Sequence, residues 1–188
     1  MEVAVIVSII AGTVSIIGWI INHILADYRE EKKQNIMRNL ENINQQLSEL
    51  YGPLVFLCYE GQISFNDLRE IITKNNKDIK DADNIKIENQ KLWQFWVEND
   101  FFPRNEKMLR ILMEKTHLIE GAKLPVYIIQ FIEHYNSWKI AHERWKKEGI
   151  EYSGSSKIEY PSTFDEEIIK TFSKLKQLQN KYLTKIKN

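Results

Sequence analysis

The sequence predicts an all-α protein, in which one amino-terminal transmembrane helix continues into a helical stalk and a cytoplasmic helical bundle. Three observations lead there. Seven glycines and four prolines in 188 residues leave few of the breaks a turn-rich β fold needs. Apolar residues recur at spacings of three and four, and no long run alternates with a period of two. The first 25 residues contain an unbroken apolar stretch.

That stretch, Val3 to Leu25, holds 23 residues without a formal charge unless His23 is protonated. As a helix it is about 34 Å long, enough for a hydrocarbon core of about 30 Å. No basic region precedes it and no small-x-small cleavage site follows, which argues against a signal peptide. Arg29, Lys32, Lys33 and Arg38 follow it closely, so the positive-inside rule places the amino terminus outside and the rest in the cytoplasm of a bacterial inner-membrane protein. The expected division is residues 1–26 as the transmembrane helix, 27–50 as the stalk and 51–188 as the cytoplasmic domain.

Ile36, Leu40, Ile43, Leu47 and Leu50 extend the stalk, and Tyr51, Gly52 and Pro53 should interrupt or kink it. Short helices are expected over 54–59 and 66–73, then an exposed polar loop over 74–84. The cluster Leu92, Trp93, Phe95, Trp96 and Val97 marks a helix over 88–99. Pro103 opens the next helix, to about Ile119, and Pro125 opens one to about Lys147. A flexible connection over 148–159 precedes a last helix, with Thr163 and Glu166 as its capping box.

Lysine plus arginine and aspartate plus glutamate number 26 each, which excludes a globally basic nucleic-acid scaffold. One cysteine, Cys58, excludes an intrachain disulfide and suits a reducing compartment as an inert core thiol. Walker, GxSxG, HExxH and CxxC motifs are absent, so no metal or cofactor is expected. His134 and His142 flank Trp138 on one helix and read as half-buried packing with a polar tip.

Two patterns remain. Ala4, Ser8, Ala11, Ser15, Gly18 and Asn22 form a stripe of small or polar residues spaced 4, 3, 4, 3, 4. In a bilayer such a stripe lets helices approach closely, so it predicts a homo-oligomer whose stripe seals a bundle or lines a pore. Arg110 and His117 stand seven positions apart in one expected helix, two turns along the same face. Their spacing matches the arginine, four to six residues, histidine pattern of HEPN ribonucleases. An imidazole there can act as general acid or base while arginine stabilises phosphate charge. Ile111 replaces the polar residue that commonly follows this arginine. Arg104 does precede Asn105, without a histidine four to six residues beyond.

Length, the amino-terminal apolar helix, an all-helical HEPN-like domain and Arg110 to His117 together resemble the small membrane accessory proteins of type VI-B CRISPR systems. These are encoded beside an RNA-guided, RNA-cleaving effector. The resemblance implies a pore-like homo-oligomer that strengthens antiviral defence by depolarising the inner membrane. Its partners would be its own copies, the lipid bilayer and RNA or the effector. It also implies that Arg110 and His117 hold the oligomer or sense RNA rather than cut it. The alternatives are a membrane-tethered, metal-independent HEPN-like ribonuclease and a non-catalytic single-pass scaffold. The segments ELYGPL, FFPRNEKMLRILMEKTHLIEG and YPSTFDEEIIKTFSKLKQLQ also resemble a wider set of bacterial single-pass proteins.

Overall fold

The computed structural model describes residues 2–78, 82–149 and 159–187, with side chains for 18–76, 88–149 and 159–186. Six α-helices run in order: α1 (Glu2–Gln45), α2 (Gly52–Asp78), α3 (Ala82–Trp96), α4 (Phe102–Glu114), α5 (Val126–Glu148) and α6 (Ser162–Lys187). π-Helical turns occupy Gln46–Tyr51 and Val97–Phe101, and a 3₁₀ turn occupies Thr116–Leu118. Among the described residues there is no strand, in agreement with the expected all-α class.

The membrane part of the expectation is overturned. Among the described residues, no helix is long and apolar enough to cross a membrane. Of the apolar run, side chains are described for Gly18–Leu25. α1 then continues through Asp27, Arg29, Glu30, Glu31, Lys32 and Lys33, all exposed. A transmembrane anchor and an inner-membrane location therefore do not stand. Of the stripe, Ala4, Ser8, Ala11 and Ser15 lie outside the residues with described side chains, Gly18 is half-buried and Asn22 is exposed.

The chain divides into two compact units, Met1–Ile43 with Leu178–Asn188, and Asn44–Gln177. In the first, Tyr28 and Ile36 of α1 and Tyr182 of α6 line a shallow cleft. Trp19, Ile20, Ile21, Ile24 and Leu25 of α1 are exposed, and Trp19 stacks on His23 at 5.7 Å.

The second unit holds a core of Leu50, Leu54, Leu57, Leu68, Val97, Met108, Ile128, Phe131, Phe164, Ile168 and Leu175, each no more than 2% exposed. Phe131 of α5 and Phe164 of α6 stack at 4.3 Å, joining the last two helices at their bases. Gln46 is buried and donates from Nε2 to the Leu118 carbonyl at 2.9 Å, which satisfies an amide that burial would otherwise penalise. Lys115 Nζ pairs with Glu49 Oε2 at 2.7 Å and holds that carboxyl below its ordinary range.

The expected break at Tyr51, Gly52 and Pro53 is absorbed rather than made. Proline has no N–H and crowds the carbonyl four residues back, which ordinarily kinks a helix. Here the turn widens: the Gly52 N–H bonds the Leu47 carbonyl, five residues back. Glycine is required there, because a Cβ would collide with that same carbonyl. The two short helices expected over 54–73 thus merge in α2, which also takes in part of the expected loop. α5 keeps its expected start after Pro125 and ends on Gly149, whose φ of 64° is left-handed and whose N–H caps the Trp145 carbonyl at 3.1 Å. α6 begins one residue before Thr163, whose hydroxyl donates to Gln130 Oε1 of α5 at 3.4 Å.

Gly52→Ala should therefore lose about 1–3 kcal/mol of stability by overpacking. Gly18→Ala meets nothing within 4 Å and should gain up to about 1 kcal/mol from helix propensity. Circular-dichroism melts of both variants against the parent check the contrast; equal shifts would remove the special role of the π turn.

Candidate functional site

The second π turn sets the site. Inserting one residue into a helical repeat rotates everything after it by about 100°. Beyond the turn, Arg104 reaches Glu60 and Ser64 of α2, and Phe101 at its end lies 6.4 Å from Phe65 of α2. Arg104 is 7% exposed, and a buried guanidinium needs partners. It has them: Nη2 pairs with Asp100 and donates to Ser64 Oγ at 2.9 Å, while Nε lies 3.6 Å from Glu60 Oε2. Its Cζ lies 5.8 Å from the centre of the Phe101 ring. Gly61 makes the room, since a Cβ there would stand 3.1 Å from Arg104 Nη1.

Beside this cluster is a cavity of about 560 Å³, entirely within the second unit. α2 contributes Leu57, Cys58, Gln62 and Phe65; α3 and the π turn contribute Trp93 and Phe101. α4 adds Arg104, Asn105 and Met108, and α5 adds His134 and Trp138. Glu159, Tyr160 and Asp165 close the circle from the start of α6. The rings support one another: Trp93 lies 6.0 Å from Trp138 and 5.7 Å from Phe101, and Phe65 lies 6.4 Å from Phe101. His134 packs between Trp138 at 5.5 Å and Tyr160 at 5.4 Å.

The polar groups define what this cavity can do. Tyr160 donates its hydroxyl to Asp165 Oδ1 at 2.5 Å, and Gln62 Nε2 reaches Asp165 Oδ2 at 3.4 Å. Burial, and then the Asp165 carboxylate, push the Tyr160 phenol far above its ordinary value, although 37% of the residue is exposed. Burial is also the main reason the Cys58 thiol rises strongly, with Asp165 raising it further. A cysteine, a histidine and an aspartate thus share one cavity without forming a nucleophilic triad. The thiolate is the reactive species, and a buried thiol facing a carboxylate keeps its proton. Among the described residues, no three His, Cys, Asp or Glu side chains converge tightly enough to hold a metal ion.

The residues singled out from sequence lie elsewhere. α4 ends at Glu114, Lys115 leaves the helical region with φ −112° and ψ 22°, and His117 falls in the 3₁₀ turn. Arg110 and His117 therefore do not share one helix, both are exposed, and neither lines the cavity. His134 and His142, expected half-buried, are 3% and 7% exposed. The His142 ring stacks on Phe102 at 5.2 Å, and its pKa is lowered by burial first and Lys146 second. Sequence reasoning missed Trp93, Trp138, Tyr160 and Asp165 as a group because they come from α3, α5, the segment before α6 and α6. The one local signal was the Arg104–Asn105 pair, which lines the cavity together with His134 of another helix.

No family model, curated protein or solved structure matches the chain.

The thiol makes a stability prediction. Burial holds the folded pKa of Cys58 above its ordinary value of 9.0, so the native state keeps a proton that the unfolded chain releases. That contribution is fully present below about pH 9 and is lost as the pH rises, with a limiting slope of about 1.4 kcal/mol per pH unit. Urea denaturation between pH 8 and 10 should show a shallower decline in Cys58→Ala than in the parent. Identical slopes would mean the thiol ionises freely in the fold.

Proposed function

We propose that Asn44–Gln177 is a binding module that holds a small organic molecule in the cavity described above and does not transform it. The observation that carries this reading is the cavity itself. Its volume, about 560 Å³, falls in the range of small-molecule sites, and mostly apolar walls with a few converging polar groups are the usual composition of such sites. The absence of an activated nucleophile argues for binding over turnover, because the cavity's one thiol is held protonated.

Saturation-transfer NMR of the full chain with a panel of aromatic fragments tests the module. Gln62 is exposed at the cavity edge, so Gln62→Trp should plug the opening without unfolding the core. Fragments that receive saturation from the parent should lose most of it in the variant at an unchanged melting temperature. Equal signals in both proteins would place binding outside the cavity.

A second reading concerns Arg110 and His117, whose exposure leaves both open to a macromolecule. In this reading the chain serves an RNA-guided antiviral effector as an RNA-sensing accessory, as the family resemblance implies. Fluorescence anisotropy of a labelled single-stranded RNA should rise on adding the full chain and fall about tenfold in affinity with Arg110→Ala. Cleavage of that RNA without metal, lost in His117→Ala, would favour the ribonuclease alternative; no binding would remove both.

A further inference from the structure

We infer that the cavity selects an organic cation, a protonated or quaternary amine on a compact apolar body. This rests on the binding-module reading and adds the chemical class of the ligand.

The charge around the cavity decides the sign. Among the described residues, three formally charged side chains line it: Arg104, Asp165 and Glu159. Arg104 is already matched by Asp100 and Glu60, neither of which lines the cavity. An incoming phosphate or carboxylate would have to displace those two carboxylates from a guanidinium 7% exposed, and would then face Asp165 and Glu159. The unmatched charge offered to a ligand is therefore negative. Asp165 accepts one short bond from Tyr160 and one long bond from Gln62, and the Cys58 thiol is a third donor to it. A carboxylate has about four acceptor sites, so capacity remains for a charged donor or an unsolvated cation.

The walls agree with that sign. Phe65, Trp93, Phe101, Trp138 and Tyr160 reach the cavity from five different segments of the unit. Aromatic rings that line one cavity with a carboxylate attract ammonium groups through their ring quadrupoles. A purely neutral aromatic ligand would need the rings but not the two acids.

Three probes of one shape isolate charge from fit: choline, the neutral 3,3-dimethylbutan-1-ol and the anionic 3,3-dimethylbutanoate. Isothermal titration of the full chain should give choline at least tenfold higher affinity than the alcohol, and the alcohol higher affinity than the acid. Asp165→Asn should reduce choline affinity about tenfold and leave the alcohol unchanged. Glu159→Gln, at an exposed rim position, should act in the same direction with a smaller loss and serves if Asp165→Asn unfolds. Equal affinity for choline and the alcohol, or preference for the acid, overturns the cation assignment and leaves the cavity a binding site. Silence from all three probes, while fragments still bind in a Gln62-dependent way, also overturns it. Silence from probes and fragments alike overturns the binding module as well.

Discussion

The buried guanidinium of Arg104 is the constraint around which the second unit is arranged. Removing an arginine head group from water costs several kcal/mol, and the cost is tolerable only where opposite charge and acceptors surround it. Asp100 stands one turn earlier on its own helical path, Ser64 and Glu60 come from α2, and Gly61 leaves space for the fork between them. Each of these partners lies in a different register, so satisfying one fixes the others. Breaking such a cluster by removing one partner costs about 3–5 kcal/mol in general. The crossing of α2 and α4 is therefore fixed by polar geometry as much as by Leu57, Leu68 and Met108.

The π turns make that geometry reachable. Each supplies an extra residue and so re-aims the helix that follows. The turn at Val97–Phe101 leads into Arg104, which meets Glu60 and Ser64 of α2, and ends on Phe101, which lies beside Phe65. The turn at Gln46–Tyr51 accommodates Pro53 and buries Gln46 against the Leu118 carbonyl. Such turns cost hydrogen-bond quality and recur near functional sites, since an ordinary α-helix would not present these side chains together. Here one of them forms part of the cavity wall.

Chemistry in the cavity follows from where protons are held. Asp165 receives the Tyr160 hydroxyl and faces the Cys58 thiol, and burial keeps both of those groups protonated far above their ordinary range. That arrangement suits recognition and opposes nucleophilic attack. The acids not used by Arg104, together with the ring cluster, give the space a preference of sign and of surface.

Much of the helical fold was legible in the sequence. Pro125 and Gly149 mark the ends of α5, and the apolar spacing of Ile168, Phe172 and Leu175 marks α6, because caps and periodicity are local. Two local readings failed. Pro53 reads as a break, yet a glycine before it and a carbonyl five residues back let the helix pass. Arg110 and His117 read as one helix face, yet the helix closes at Glu114 and the pair parts. The long apolar run read as a membrane span, while among the described residues no helix is long and apolar enough for one. By itself the sequence determined that the chain is helical, that its one thiol is apolar in setting and that its charge is balanced. Only the tertiary structure decided that Arg104 rather than Arg110 is the buried one, and that Trp93, Trp138, Tyr160 and Asp165 meet. Burial and pairing depend on which helices pack together, and residues that distant in the chain share no period that a sequence can display.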